Sequence, residues 1–446
     1  MGRDNIHKLM NPASVAVVGA SSTPGKLGHT ILKNIIDSRF DGPIYPVNPR
    51  GGDILGLTAW ETLTGLPDRP DLCMVITPAS TVPAIISQCA EGGIPSAVVI
   101  SGGFAEIGPP GEALQKDLVE KARRGNVRVL GPNCQGLNLP HRPMCASWPL
   151  VGKPGKIAII SQSGTIGAEL MDRLQEDGLG FSAFLSLGNR SDLDEADFIR
   201  YFDSHPQTEA IALYLEGIRD GQRFREVVES TSKPLVVLKA GRTVAGRQAI
   251  VTHTRSLAGR HEICRAFFRQ NGVLTADSID GLYHLSRGAA YLPRPRGRRL
   301  LIMASTGGTG VLAVDRATEL GFSLPPPDEG STEELRSFLS PQAIIGNPVD
   351  FTGDATADHY RKTLGVMEGR YDYFMVIFGD PIPGAFEAVK GFSNVAVICL
   401  GGGDVLRRET EQMAASGIPA FPSPEAALNC LDAMLRHEEA KGSHES

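Results

Sequence analysis

Ser14-Val-Ala-Val-Val-Gly19-Ala-Ser-Ser-Thr-Pro-Gly25-Lys-Leu-Gly28 is the stretch on which the reading of this chain turns. The apolar run Val15 to Val18 meets a glycine and then a Ser/Thr/Pro loop. Helical spacing follows from His29 to Ile36. A buried strand, a tight turn and a helix laid back on it form half of a parallel βα unit. The pattern repeats at 44–47, 72–76, 97–100 and 127–130. These strands close on Asn48-Pro-Arg50, Thr77-Pro78-Ala79, Ser101-Gly102-Gly103 and Gly131-Pro-Asn133. Any one such loop reads as an ordinary tight turn, because Gly and Pro punctuate all folds of this class. In succession they define an edge, and open parallel sheets bind ligands beyond the carboxyl ends of their strands. The candidate ligand residues are therefore Gly19, Ser21, Ser22, Lys26, Asn48, Arg50, Thr77, Pro78, Ser101, Gly102 and Asn133. Backbone N–H groups at the start of the helix, with Lys26 beside them, suit a phosphate. The loop is not GxGxxG, and Arg50 stands where a dinucleotide site carries Asp or Glu. A cation there fits a ribose phosphate better than the 2′-hydroxyl of NAD.

Outward from this module the same alternation continues. Strands are expected at 156–160, 181–185, 210–214 and 235–238, and again at 299–303, 373–377 and 395–399. The fold class is α/β, in domains at 1–147, 148–293 and 298–437, with a charged tail at 438–446 expected to fray. A Pro/Gly joint at 149–155 and the basic, proline-stiffened run Leu292-Pro-Arg-Pro-Arg-Gly-Arg-Arg299 separate them. The 446 residues are 41% hydrophobic and 21% charged, enough apolar material for several cores. A net charge of -6 gives no general attraction to nucleic acid or anionic membrane. The seven cysteines show no CxxC or metal-ligand spacing, so no metal site is expected within the chain. No apolar run approaches the ~20 residues of a membrane span. The opening MGRDNIHKLMNP lacks a signal-peptide core. The expected location is cytoplasmic, with reduced thiols.

The second block carries the chemistry. Its first strand runs into Ser161-Gln-Ser163-Gly164-Thr165-Ile-Gly167 and then an amphipathic helix. Ser163 is placed to cap that helix. The N–H groups of Gly164 and Thr165 follow it, making an anion site without a lysine. Further on stands Thr252-His253-Thr-Arg255-Ser-Leu-Ala-Gly259. A lone histidine is usually structural, but His253 lies among small hydroxylated residues, and imidazole serves as nucleophile and covalent carrier at neutral pH. Glu216, in Tyr214-Leu-Glu216-Gly-Ile-Arg219-Asp220, closes a strand, as does Ser186-Leu-Gly188-Asn189. A carboxylate beside an imidazole fixes its tautomer and steadies the imidazolium.

In their order, GASSTPGKLG, YPVNPR, VITPA, ISGGFAEIG, GPNCQG, YLEGIRD and HTRSLAG resemble the ADP-forming (NDP-forming) acyl-CoA synthetase alpha subunits, relatives of the succinyl-CoA synthetase alpha subunit. The third block adds Ser305-Thr-Gly307-Gly308-Thr-Gly310 and Asn347-Pro348-Val349-Asp350. The resemblance implies a CoA-binding Rossmann-like domain followed by two flavodoxin-like, succinyl-CoA synthetase-like domains. It implies that His253 is phosphorylated, that Glu216 orients its ring, and that CoA occupies the strand ends of the first block. No GxxxxGK(S/T) sequence is present. The nucleotide (ATP/ADP or GTP/GDP) and Mg²⁺ are therefore expected on an ATP-grasp beta subunit in a hetero-oligomer. The substrates are an acyl-CoA and a carboxylic acid. Arg50 stands where relatives often carry Lys, and Arg255 where the family pattern has Gly. The bulky Arg255 leaves a second reading, a CoA-binding regulatory or scaffold protein without turnover.

Overall fold

The structure, a computed structural model, describes residues 2–148, 152–254 and 259–445, with side chains at 5–148, 152–251 and 259–442. Compactness divides the chain into two units, residues 1–176 with 180–266, and residues 177–179 with 267–446.

The first unit opens with α1 (Gly2–Met10), β1 (Val15–Val18), α2 (Leu27–Asp37), β2 (Ile44–Val47), a hairpin of β3 (Asp53–Ile54) and β4 (Leu57–Thr58), β5 (Leu72–Val75), α3 (Val82–Glu91), β6 (Ser96–Val99), α4 (Pro109–Arg124) and β7 (Arg128–Leu130). The main strands form a parallel sheet in the order β2-β1-β5-β6-β7, in register Val15↔Ile44 and Val15↔Leu72. They are apolar throughout because helices cover such a sheet on both faces. Ala16, Cys73, Val75, Ala97 and Val99 pack with Val82, Ile86 and Cys89 of α3 and with Leu118 and Ala122 of α4 in one core. Strand order reverses between β1 and β5, the kind of place at which open parallel sheets bind ligands.

The unit continues with β8 (Leu137–Leu139), β9 (Met144–Ala146), β10 (Pro154–Ser161), α5 (Gly164–Glu176), β11 (Phe181–Ser186), α6 (Glu195–Asp203), β12 (Ala210–Leu215), α7 (Gly221–Ser230), β13 (Leu235–Lys239), α8 (Val244–Thr254) and α9 (His261–Gln270), the last reaching into the second unit. Here the order is β13-β12-β10-β11-β8-β9. β10 to β13 are parallel, while β8 runs antiparallel to β11 through Phe184↔Asn138 and Leu185↔Leu137. The expected boundary at 147 therefore cuts below two strands that complete the second sheet. They are too short to announce themselves in sequence: β9 pairs with β8, and β8 is placed by pairing with β11, far along the chain. The order reverses again, between β10 and β12.

The second unit holds β14 (Leu274–Ala276), α10 (Ile279–Tyr291), β15 (Leu300–Ala304), α11 (Gly307–Glu319), α12 (Glu329–Arg336), β16 (Val349–Asp350), α13 (Ala357–Met367), β17 (Tyr373–Phe378), α14 (Ala385–Val389), β18 (Val395–Cys399), α15 (Asp404–Ala415), β19 (Ala420–Phe421) and α16 (Pro424–Glu445). Its parallel sheet is ordered β16-β15-β17-β18-β19, the flavodoxin-like arrangement. The expected frayed tail is instead the end of α16. Glu438, Glu439, Ala440 and Lys441 are good helix formers, and Glu438 and Glu439 pair with Arg294 and Arg298. No helix among the described residues is long and apolar enough to cross a membrane.

Candidate functional site

The strand-end loops of the first sheet lock to one another. Gly19 sits at φ +93°, and a Cβ there would lie 2.3 Å from the carbonyl oxygen of Ile76. A Cβ on Gly28 would lie 2.0 Å from the carbonyl oxygen of Gly19. The loop thus folds backbone-to-backbone onto the first turn of α2, an approach only glycine permits. Asn48 donates through Nδ2 to the Ala20 carbonyl at 2.8 Å and accepts the Arg50 N–H at 2.9 Å. The Thr77 N–H donates to Ser101 Oγ at 3.2 Å, and that hydroxyl donates to the Thr77 carbonyl at 2.5 Å. The Asn133 N–H donates to the Ser101 carbonyl at 2.9 Å, and a Cβ on Gly102 would stand 3.1 Å from Asn133 Oδ1. These contacts bring Gly19, Asn48, Thr77, Ser101, Gly102 and Asn133 to one edge. Ser21 shares the first loop, its Oγ accepting from the Thr23 N–H. Ser22, Lys26, Arg50 and Pro78 are exposed along the edge. α2 begins at Leu27, earlier than the expected His29. Lys26 takes its cap position with no capping side-chain bond, and its first turn carries no acidic residue. Its leading N–H groups keep their partial positive charge.

A polar hub that sequence reasoning did not weigh joins this edge to the second sheet. Glu106 Oε1 accepts the Gly103 N–H at 2.6 Å and the Phe104 N–H at 3.1 Å. Its Oε2 accepts Asn189 Nδ2 at 2.5 Å. Asn189 also accepts from Asn133 Nδ2 at 3.3 Å. Burial pushes the Glu106 carboxyl up, but the Asn189 bond and the backbone N–H groups outweigh it and leave the group below its ordinary value. Glu106 lies inside the quoted ISGGFAEIG run, and an acid two and three residues beyond paired N–H groups was the available signal.

At the reversal of the second sheet lie the other expected groups. Glu216, 5% exposed, directly follows β12. Its N–H donates to Gln162 Oε1 at 2.7 Å, and the Gly217 N–H donates to the same oxygen at 3.1 Å. Gln162 Nε2 donates back to the Gly217 carbonyl at 2.8 Å, which also accepts Arg190 Nη1 at 2.8 Å. Lys239, buried at the end of β13, donates to the carbonyls of Glu216 at 2.8 Å and Ala240 at 2.7 Å. Desolvation pulls its ammonium pKa down, against the pull of Cys264 and Glu216. Burial, then the Glu216 charge, pushes the Tyr214 phenol up to about 12. Ser163 stands immediately before α5, with Oγ 3.5 Å from the Ile166 N–H. Gly164 and Thr165 form the first turn, Thr165 exposed and no acid among them.

One segment touches both sites. Residues 131–136 carry Asn133 at the first edge and Gln135 at the second, where a Cβ on Gly164 would lie 2.5 Å from Gln135 Oε1. The Gln135 N–H donates to Ser186 Oγ at 2.9 Å, and the Asn189 N–H donates to the Pro132 carbonyl at 2.8 Å. His253 falls in the last turn of α8. Its side chain and the whole of Arg255 lie outside the described residues, so the structure describes only the Glu216 half of the expected pair. A cleft of about 400 Å³ between α4 and the start of α7, lined by Arg123, Arg128, Arg219 and Arg223, contains none of the expected site residues.

Three family models match in sequence: a CoA binding domain at 13–140, a succinyl-CoA ligase like flavodoxin domain at 154–288 and a Ligase-CoA domain at 300–382. The alpha subunit of acetate–CoA ligase [ADP-forming] II of Pyrococcus furiosus is 37% identical, over 97% of this chain and 98% of its own. The alpha subunit of ligase I from the same organism is 35% identical over 99% of both. This chain belongs to the ADP-forming acyl-CoA synthetase alpha subunits. Among solved structures of the family's members, the dinucleotide forming acetyl-coenzyme A synthetase 1 of Ca. Korarchaeum cryptofilum, in complex with phosphate and ADP, superposes with a TM-score of 0.91. It is 34% identical over 98% of this chain and 97% of that one. The ligase class and the α/β fold of CoA-binding and succinyl-CoA ligase-like domains follow for the family member described here.

Proposed function

We propose that this chain interconverts acyl-CoA, phosphate and a nucleoside diphosphate with a carboxylic acid, CoA and a nucleoside triphosphate, using a phosphoryl group carried on His253. The observation that carries this reading is the 131–136 segment, which joins the CoA-type edge to the turn before α5 and so supports thioester and anion chemistry side by side. CoA lies along Gly19, Ser21, Ser22, Asn48, Thr77, Pro78, Ser101, Gly102 and Asn133, with Lys26, Arg50 and the open N-terminus of α2 taking its phosphates. The space a Cβ would need at Gly19 and Gly28 is filled by the Ile76 and Gly19 carbonyls, so the loop is pinned against α2 and its N–H groups stay fixed for the phosphates. Phosphate held by Ser163 and the N–H groups of Gly164 and Thr165 attacks the thioester carbonyl. The C–S bond breaks, CoA leaves as the thiol, and an acyl phosphate remains. A ring nitrogen of His253 attacks phosphorus, and the P–O bond to the acyl group breaks to release the carboxylate. Glu216 holds the opposite nitrogen and offsets the charge of the imidazolium, while the helix N–H groups stabilise the equatorial oxygens. The phosphoryl group then passes to ADP or GDP.

That last step belongs to a partner. Relatives of this length are named as alpha subunits, which supports an ATP-grasp beta subunit carrying the nucleotide and Mg²⁺ in a cytoplasmic hetero-oligomer. The three matched models support a division into three modules near those expected at 1–147, 148–293 and 298–437, with β8 and β9 given to the sheet of the second. Likeness along the whole chain to named ligase subunits favours turnover over a scaffold role. The test is to incubate the assembled enzyme with acetyl-CoA and labelled inorganic phosphate. Acid-labile, base-stable label should appear in wild type and vanish in His253→Ala. Wild-type label in His253→Ala, or normal turnover by it, would end the proposal.

A further inference from the structure

We propose that Gln162 is a positioning residue for the phosphoryl transfer, the device that holds Glu216 in register with the anion site. The inference rests on the role assigned to Glu216 above. β10 and β12 pair in parallel as far as Ser161↔Tyr214, and the Gln162 N–H adds a bond to the Tyr214 carbonyl at 3.1 Å. Beyond it the chain turns into Ser163 and α5, and the backbone of 162 has no further rung to offer. The side chain supplies one. Its carboxamide accepts two successive N–H groups, of Glu216 and Gly217, and returns a donor to the Gly217 carbonyl, as a peptide group in a ladder would. The switch point of the sheet, where strands must part to admit a ligand, is bridged here by one amide.

The geometry is specific to glutamine. A carboxylate at 162 would accept the same N–H groups but set a second acceptor against the Gly217 carbonyl. It would also add negative charge beside both Glu216 and the phosphate site. Asparagine is one methylene short. Met fills the same volume and makes none of the bonds. Arg190, 7% exposed and bound to Glu195 and to the Gly217 carbonyl, and Lys239, bound to the Glu216 carbonyl, hold the acceptors of this turn, so loss of Gln162 frees the N–H groups of Glu216 and Gly217 in particular.

The experiment compares Gln162→Met, Glu216→Gln and the double variant in the assembled enzyme, reading the rate of His253 labelling from acetyl-CoA and labelled phosphate. Displacing a catalytic contact by ~1 Å costs about 100-fold. Gln162→Met should therefore slow labelling by about tenfold or more, with the KM for acetyl-CoA near wild type and the melting temperature lowered by the loss of an acceptor for two backbone N–H groups. In the Glu216→Gln background the Gln162→Met change should cost about twofold or less, because both act through one carboxylate. A merely structural role would lower labelling equally in either background, and that additive result overturns the inference. If Glu216→Gln labels normally, the parent reading of Glu216 fails instead. If Glu216→Gln is slow while Gln162→Met labels at the wild-type rate, only the inference fails.

Discussion

Gly28→Ala adds a single methyl in the first turn of α2. That carbon would sit 2.0 Å from the Gly19 carbonyl oxygen and 3.0 Å from the Gly19 carbonyl carbon. Real contacts of this kind do not fall below 3.0 Å, so loop and helix must part by 3.0 − 2.0 = 1.0 Å at least. Neither side gives cheaply, since the obstacle is backbone and Gly19 is itself pressed against Ile76. Alanine gains ~0.5–1 kcal/mol over glycine inside a helix. Overpacking of this kind costs ~1–3 kcal/mol, so the net is a loss of about 0–2.5 kcal/mol. The functional effect should be larger than the stability effect, because the displaced loop carries Ser21, Ser22 and Lys26. The KM for acyl-CoA should rise about tenfold or more, in line with the ~100-fold sensitivity of positioned groups to a 1 Å shift. Gly25→Ala is the matched control. It lies at φ +83° with nothing within 4 Å of its would-be Cβ. Its cost is conformational, ~1–2 kcal/mol, with no loop displaced. Both variants should lower the melting temperature by a similar few degrees, and only Gly28→Ala should change the KM for acyl-CoA. Equal KM values for Gly28→Ala and wild type, or a matching rise in Gly25→Ala, would refute the reasoning.

Two further outcomes follow from the site. Glu106 has a folded pKa below its ordinary value, so its contribution to stability is complete above the unfolded glutamate range, ~4.3, and is lost as pH falls through the folded value. Glu106→Gln should flatten the acid limb of the melting-temperature profile between about pH 5 and 3; an unchanged slope would show that the Asn189 hub does not hold the charge. In α8, Ile250 is the buried side chain among the described residues 244–251, while Val244 and Val251 are 64% and 49% exposed. Ile250→Ala should remove most of the anchorage of the helix that leads to His253. A buried large-to-small change costs ~2–5 kcal/mol, so amide exchange across 244–251 should quicken about 30-fold or more while the global melt moves little; unaltered exchange would place the anchor elsewhere.

The chain announces its strands and their ends well, because both signals are local. Val15 to Val18 into Gly19 can be little else than a buried strand meeting a turn, and the same holds at Leu72, Ser96, Ile157 and Leu300. The polar residues at those ends were legible for the same reason. Glu106 and Gln162 were quoted within motifs but given no part, since an acid in a loop and an amide beside a serine carry no local mark of what they bind. The short strands Leu137–Leu139 and Met144–Ala146 were missed because what seats their hairpin is the pairing of the first of them with Phe184 and Leu185, far along the chain.

By itself the sequence determined the α/β class, the order of strand, turn and helix, the residues exposed at strand ends, and the family to which the motifs belong. These depend on periodicity, on glycine's backbone freedom and on side-chain chemistry, all contained within a few residues. Tertiary structure alone decided that the first sheet's loops close on each other through Asn48, Ser101 and Asn133, that residues 131–136 span two sites, and that Gln162 ties Glu216 to the turn before α5. Such contacts join groups tens of residues apart. Their geometry is fixed by the strand order of a sheet, which no window of sequence contains.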